Sequence, residues 1–419
     1  MTRTERQQEA VRKWIKAKGK ASIIAMTGFG KSRMALMAIE AIRKKYPYIR
    51  ILIVVPTEPL KRQWQEHIDN NDLQFNAEVQ IINTVIKHNY VCDFLILDEE
   101  HRYPADTFSK VFECVKYKLI LGLTATFERL DGKHVIMNKY CPAVDNITVA
   151  ECLANGWVSQ YKEYQVLIEV DNINEYKEMN KRWLESFEFF NFDFNLAKST
   201  CGPDGWKVKL ALRDEMYKGD DENKRKQVLQ NINFHSINFM RTMQQRKAFI
   251  NNHPKKIEIA KKIIEARSDK KIITFSNNVK MAEAIDNGEY VYTGKTSKAK
   301  GRVMMEDFIS GKINRIHSCH KLNEGIDIPD ISVGIVLGTD SSEIKAKQRL
   351  GRTTRVYENK NVEFFYIVIK DTIEEKWVSN NHKSNKNYIT IDENGLEKVL
   401  RGESPEEIKQ KPKELMFRF

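Results

Sequence analysis

Continuous apolar runs, rather than alternating ones, mark the strands of this chain. Ile23-Ile24, Ile51-Leu52-Ile53-Val54-Val55, Val79-Gln80-Ile81-Ile82, Phe94-Leu95-Ile96-Leu97 and Lys118-Leu119-Ile120-Leu121-Gly122-Leu123 recur through the first third. A strand covered on one face alternates apolar with polar; an unbroken run predicts a strand covered on both faces, as in parallel sheets. Segments of helical spacing lie between the runs. Ala10, Val11, Trp14 and Ile15 predict an amphipathic helix within residues 2–20, and Met34, Leu36, Met37 and Ile39 predict another. Strand alternating with helix predicts a doubly wound α/β domain over 1–150.

The rhythm lapses over 151–254, where aromatics and charges crowd together: Trp183, Phe187, Phe189, Phe190, Phe192, Phe194, then Lys224-Arg225-Lys226 and Arg241 to Lys247. A mostly helical insert or linker is expected, its aromatics forming a small core rather than a base-stacking surface. The rhythm resumes over 255–385. A helix is expected over 257–266, with strands at Lys271–Ser276, Tyr290–Gly294, Ile331–Leu337 and Phe364–Val368. Residues 386–419 read as a disordered tail, although its end, Leu415-Met416-Phe417-Arg418-Phe419, is apolar enough to dock on a partner protein.

Chemistry gathers at the strand ends, where doubly wound sheets bind ligands. Ala25-Met26-Thr27-Gly28-Phe29-Gly30-Lys31-Ser32 joins a strand to a helix. Glycines let a loop curl so that its N–H groups face phosphate oxygens; Lys31 reaches the β- and γ-phosphates, and the Ser32 hydroxyl takes a Mg²⁺ ion. Ala25 stands where the full pattern has glycine. Asp98-Glu99-Glu100-His101 follows the fourth run. An aspartate there can hold Mg²⁺ through water, and the neighbouring glutamate can deprotonate an attacking water. Gln7 or Gln8 can reach an adenine, which needs one donor and one acceptor. In the second half, Gln348 to Arg355 carries three arginines, whose rigid forks suit phosphate.

The 419 residues carry 69 Lys and Arg against 57 Asp and Glu, a net charge of +12 that fits a polyanionic partner. No run nears the ~20 apolar residues of a membrane-spanning helix, and the polar start predicts no signal peptide. The scattered Cys92, Cys114, Cys141, Cys152, Cys201 and Cys319 predict reduced thiols in a cytoplasmic protein.

Together these segments resemble the motifs of superfamily 2 helicases, in that family's order, over residues 5–380. Ala25–Ser32 resembles motif I, Pro56-Thr57 motif Ia, Asp98–His101 motif II and Thr124-Ala125-Thr126 motif III. Gly325-Ile326-Asp327 resembles motif V and Gln348–Arg355 motif VI. The spelling is most similar to the branch of DNA repair translocases, branch-migration helicases and restriction motors. The resemblance implies two tandem RecA-like domains joined by the helical insert, and a monomeric, ATP- and Mg²⁺-dependent motor on DNA rather than RNA. It implies that Gln7 reads adenine, and that Thr27, Gly28, Gly30, Lys31 and Ser32 hold phosphate. Asp98 would bind Mg²⁺, Glu99 would be the base, and His101, Thr124 and Thr126 would couple hydrolysis to motion. Asp327 would touch ribose, Arg352 and Arg355 would be fingers supported by Gln348, and Pro56, Thr57 and Thr84 would lie along the nucleic-acid backbone. Phe127 stands where the branch often has proline, and Cys319 where motif V places a threonine. An RNA helicase and a nucleic-acid-binding protein with a vestigial ATPase are the alternatives.

Overall fold

The computed structural model describes residues 1–26, 28–100, 103, 108–125, 135–157, 161–319, 331–338, 362–381 and 387–408. The expected site residues Thr27, His101, Thr126, Asp327, Gln348, Arg352 and Arg355 lie outside these residues, as does the apolar end of the chain.

The first sheet contains β1 (Lys20–Ala25), β2 (Ile51–Val55), β3 (Ala77–Ile81), β5 (Phe94–Asp98), β7 (Leu119–Thr124) and β8 (Ala143–Ile147); β4 (Tyr90–Val91) and β6 (Val115–Lys116) form a separate ribbon. The order is β3-β2-β5-β7-β1-β8, parallel throughout. The apolar runs are buried on both faces, as expected. Along β2, Ile51, Ile53 and Val55 enter one core and Leu52 and Val54 another; along β5, Phe94 and Ile96 part from Leu95 and Leu97 in the same way. Period-two side chains therefore feed a helical layer on each face.

The second sheet contains β9 (Tyr161–Ile168), β10 (Ile272–Ser276), β11 (Val291–Tyr292), β12 (Arg315–Cys319), β13 (Val333–Val336), β14 (Val362–Ile369) and β15 (Tyr388–Asp392). Its order is β11-β12-β10-β13-β14-β9-β15, again parallel.

Two expected boundaries are corrected. β9 was expected within the helical insert, yet it pairs with β14 from Tyr161↔Val362 to Ile168↔Ile369. Its Lys, Glu and Gln disguise a central strand: Glu163 and Gln165 are fully buried, with Gln165 Oε1 accepting from Ser379 and Tyr388. The supposed disordered tail begins with β15, which pairs with β9, and continues into the helix Glu393–Leu400, whose Leu396 and Val399 complete a core. Asp392 caps that helix at Gly395 N, 2.7 Å, and the Arg267 guanidinium donates to the Val399 and Leu400 carbonyls at its other end.

The rest of the insert is helical: Ile173–Phe189, Phe194–Ser199, Gly205–Met216 and the long Glu222–Asn252. Phe187, Phe190, Ala197 and Phe239 form its core, with Trp183 and Phe189 packed beside them. Among the described residues no helix is long and apolar enough to cross a membrane.

Candidate nucleotide site

Helix α1 (Arg3–Lys16) begins with a capping box, Thr2 Oγ1 accepting from Glu5 N at 3.2 Å and Glu5 Oε2 from Thr2 N at 2.7 Å. Ala10, Val11 and Trp14 are buried as expected, but Ile15 is exposed. Arg6 ties the helix to Asp145 at 2.5 Å and Glu151 at 2.6 Å. Two side chains of α1 then hold the loop after β1. Arg3 Nε donates to the Phe29 carbonyl at 3.0 Å, and Gln7 Nε2 donates to the same oxygen at 2.7 Å. Arg3 also donates to the Gly28 carbonyl.

That loop requires its glycines. Gly28 and Gly30 have φ of 88° and 101°, the left-handed region that costs a side chain dearly. A Cβ on Gly30 would lie 2.5 Å from Gln7 Nε2. Gly30 caps helix α2 (Lys31–Arg43), whose first turn holds no acid. Lys31 is buried and Ser32 half-buried at that helix N-terminus, where backbone N–H groups and dipole favour an anion.

Asp98 ends β5, and the sheet order β5-β7-β1 sets it one strand away from the phosphate loop's own strand. It is 5% exposed. Burial, then the Glu99 charge, push its carboxyl up to about 6, while Trp64, Lys31 and the Glu99 N–H oppose the rise. Trp64 Nε1 donates to Asp98 Oδ2 at 2.8 Å and Glu99 N to Asp98 Oδ1 at 3.0 Å. Glu99 itself has φ of 53°, an uncommon conformation for a side-chain-bearing residue, which turns the chain sharply beyond β5.

Glu100 is fully buried. Gly122 of β7 leaves the room for it, since a Cβ there would lie 1.9 Å from Glu100 Oε2. Burial pushes Glu100 up to about 8 against the pull of the Ser22 hydroxyl, so it is largely neutral at pH 7. Thr124, at the end of β7, is buried and pairs in register with Ile24 of β1.

Lys31, Asp98, Glu99 and Thr124 therefore gather at one edge, with Gln7 serving the loop from beneath. Pro56 and Thr57 lie at the C-terminal end of β2, Thr57 preceding helix α3 (Glu58–Asp69). Thr84 sits half-buried in the short helix Ile82–Val85 after β3. All three follow strand ends on the same side of the sheet. In the second sheet Cys319 ends β12, buried, its thiol raised by desolvation. Two partners escaped sequence reasoning. Trp64 lies on helix α3, which follows β2, and from there reaches the end of β5. Arg3 was read merely as part of a polar N-terminus.

Two protein families match the chain. Residues 1–90 and 75–129 match the res subunit of type III restriction enzymes, and residues 255–357 match the helicase conserved C-terminal domain. The DNA 3'-5' translocase XPB2 of Sulfurisphaera tokodaii is 28% identical over 386 residues, covering 87% of this chain and 81% of the relative. The helicase domain of Pyrococcus furiosus Hef shares the fold with a TM-score of 0.51 at 18% identity, over 90% of this chain and 99% of that one. The DNA-bound type ISP restriction-modification enzyme LlaBIII does so with a TM-score of 0.55 at 16% identity, over 92% of this chain and 31% of its own. A phosphate loop and acidic turn set one strand apart, two parallel-sheet RecA-like domains and a helicase or restriction-motor family match to each of them give this chain the two-domain plan of superfamily 2 helicases and identify it as an ATP-hydrolysing helicase.

Proposed function

We propose that this helicase is a DNA translocase that couples ATP hydrolysis to movement along, or remodelling of, duplex and branched DNA. Its support is the placing of the glycine loop with Lys31 and of Asp98-Glu99 at the ends of β1 and β5, in a chain 28% identical to a DNA 3'-5' translocase over 87% of its length.

In this reading Gly28, Gly30 and the preceding Thr27 cradle the phosphates of ATP with backbone N–H groups, and Lys31 neutralises the β- and γ-phosphates. Gln7 steadies the loop through Phe29 and reads adenine. The residues suit a Mg²⁺ ion: Asp98 is a buried carboxyl that its own surroundings penalise when charged, and Ser32 stands half-buried in the first turn of α2. When bound, that ion neutralises developing phosphate charge. Trp64 fixes the rotation of Asp98, and Glu99 takes the proton of the attacking water. Arg352 and Arg355, supported by Gln348, contact the γ-phosphate, Asp327 contacts ribose, and His101, Thr124 and Thr126 pass the change on to the strand ends. Pro56, Thr57 and Thr84 follow the DNA backbone. The protein acts as a monomer inside the cell, and the apolar end of the chain binds a partner protein.

Glu99→Gln tests the assignment. Loss of a general base costs ~10²–10⁴-fold in rate, so turnover should fall by that factor while ATP stays bound. Turnover within threefold of wild type would reject Glu99 as the base. Stimulation of the wild-type ATPase by duplex DNA, forked DNA and RNA in parallel separates the DNA reading from an RNA helicase.

A further inference from the structure

The aromatics of the insert divide into two sets. Phe187, Phe190 and Phe239 are core, but Trp206 and Phe234 are 60% and 59% exposed. Trp206 lies at the start of the helix Gly205–Met216, beside a groove of ≈ 790 Å³ against the long helix Glu222–Asn252. That volume falls within the ~300–1,000 Å³ of small-ligand clefts. Trp206, Lys209, Asn233, Ile237, Arg241 and Gln244 line it.

Charge decides what the groove suits. Between Glu222 and Glu258 the chain holds no acidic residue, while the long helix carries Lys224, Arg225, Lys226, Arg241, Arg246 and Lys247. The groove's charged lining is Lys209 and Arg241, both basic. Lys207 sets its ammonium 5.5 Å from the centre of the Trp206 ring while pairing with Asp204 at 2.9 Å, so among the described residues the unpaired cations of the groove are Lys209 and Arg241 on its lining. An aromatic face beside cations and amides is the chemistry of an unpaired nucleotide: the base stacks, the phosphate is neutralised and the amides reach base edges. A paired base keeps its faces inside the duplex stack and cannot meet Trp206.

We propose that this groove is a second nucleic-acid site, separate from the strand ends of the two sheets, which takes an unpaired DNA strand by stacking a base on Trp206 and pairing its phosphate with Arg241 and Lys209. The inference rests on the DNA-motor reading and gives the insert a task within it, holding the strand that is not being followed.

The test uses the full chain without nucleotide, a labelled oligo-dT and a blunt duplex of equal length, with binding followed by anisotropy over a range of salt. Trp206→Ala should weaken oligo-dT binding about 5- to 100-fold and duplex binding less than twofold, and Trp206→Phe should restore most of the loss. Arg241→Gln should lower the slope of log K against log salt by ~0.7 for the single strand. Oligo-dT affinity unchanged in both variants would overturn the proposal, and would leave the groove to a partner protein's helix. Equal loss on duplex and single strand would overturn base stacking. Failure of the motor reading looks different: wild type itself would bind neither DNA, and neither would stimulate its ATPase.

Discussion

Trp64→Phe isolates the contact that aims the acidic turn. It deletes the indole N–H that lies 2.8 Å from Asp98 Oδ2, at a Trp that is 1% exposed and a carboxylate that is 5% exposed. A hydrogen bond to a charged group is worth ~1.5–3 kcal/mol, and the lost part of the ring leaves a void costing on the order of 1 kcal/mol. At ~2–4 °C per kcal/mol for a domain of this size, the first domain should melt roughly 5 to 15 °C lower. The Asp98 carboxyl, already pushed up to about 6, should rise further, because Trp64 is one of the groups holding it down. A metal-binding carboxylate that is misaimed and more often protonated should cost about 10- to 100-fold in turnover, at ~1.4 kcal/mol per tenfold. ATP affinity should change little, since Lys31 and the glycine loop are untouched. Steady-state hydrolysis, binding of a fluorescent ATP analogue and a melting curve measure the three. A variant that melts within 2 °C of wild type and turns over within twofold would refute the reasoning that this bond orients the site.

Gly30→Ala places a methyl group 2.5 Å from Gln7 Nε2 at a φ of 101°; ATP-analogue binding should fall more than tenfold, and titration with that analogue checks it. Lys256→Met strips the partner from Glu374, which lies 2.7 Å away with both groups fully buried. Breaking such a pair costs ~3–5 kcal/mol, while adding Glu374→Leu should recover much of it; urea unfolding of the single and double variants measures both. His317 is fully buried between Thr274 Oγ1 at 3.0 Å and Asp286 Oδ2 at 2.8 Å, and burial lowers its pKa despite the pull of Asp286. Below pH ~6.5 the unfolded chain takes up a proton that the folded one refuses, so stability should fall as pH drops from ~6.5 toward the folded value. His317→Gln should flatten that slope in unfolding curves recorded at stepped pH. Arg352→Ala should cut DNA-stimulated hydrolysis by ~10³–10⁵, with ATP binding retained.

Both sheets were legible where burial and hydrophobicity agree. β2, β5 and β14 are continuous apolar runs because helices cover both of their faces. β9 and β12 were missed for the opposite reason. Glu163, Gln165, His317 and Ser318 are buried polar groups, and Gln165 and His317 are held by partners distant in sequence, Ser379, Tyr388 and Asp286, which periodicity cannot reveal. β15 is short and half-buried at the sheet edge, so it resembled tail. At the site, the glycine loop and Asp98-Glu99 announce themselves because phosphate chemistry demands those residue types at those spacings. Their supports do not. Trp64 meets Asp98 across 34 positions and Arg3 meets Phe29 across 26, contacts that exist only once the sheet and the helices on it are assembled. Glu100 looked like a third charge in the acidic turn, and only the space left by Gly122 shows it as a buried, largely neutral group.

Movement on DNA driven by ATP is most directly measured by displacement of a third strand from a duplex. A triplex-forming oligonucleotide on linear duplex is released only when a motor arrives. The wild-type chain should displace it with ATP and fail with a non-hydrolysable analogue, and Lys31→Ala should fail with either. Brisk DNA-stimulated hydrolysis with no displacement above the protein-free rate would contradict the account.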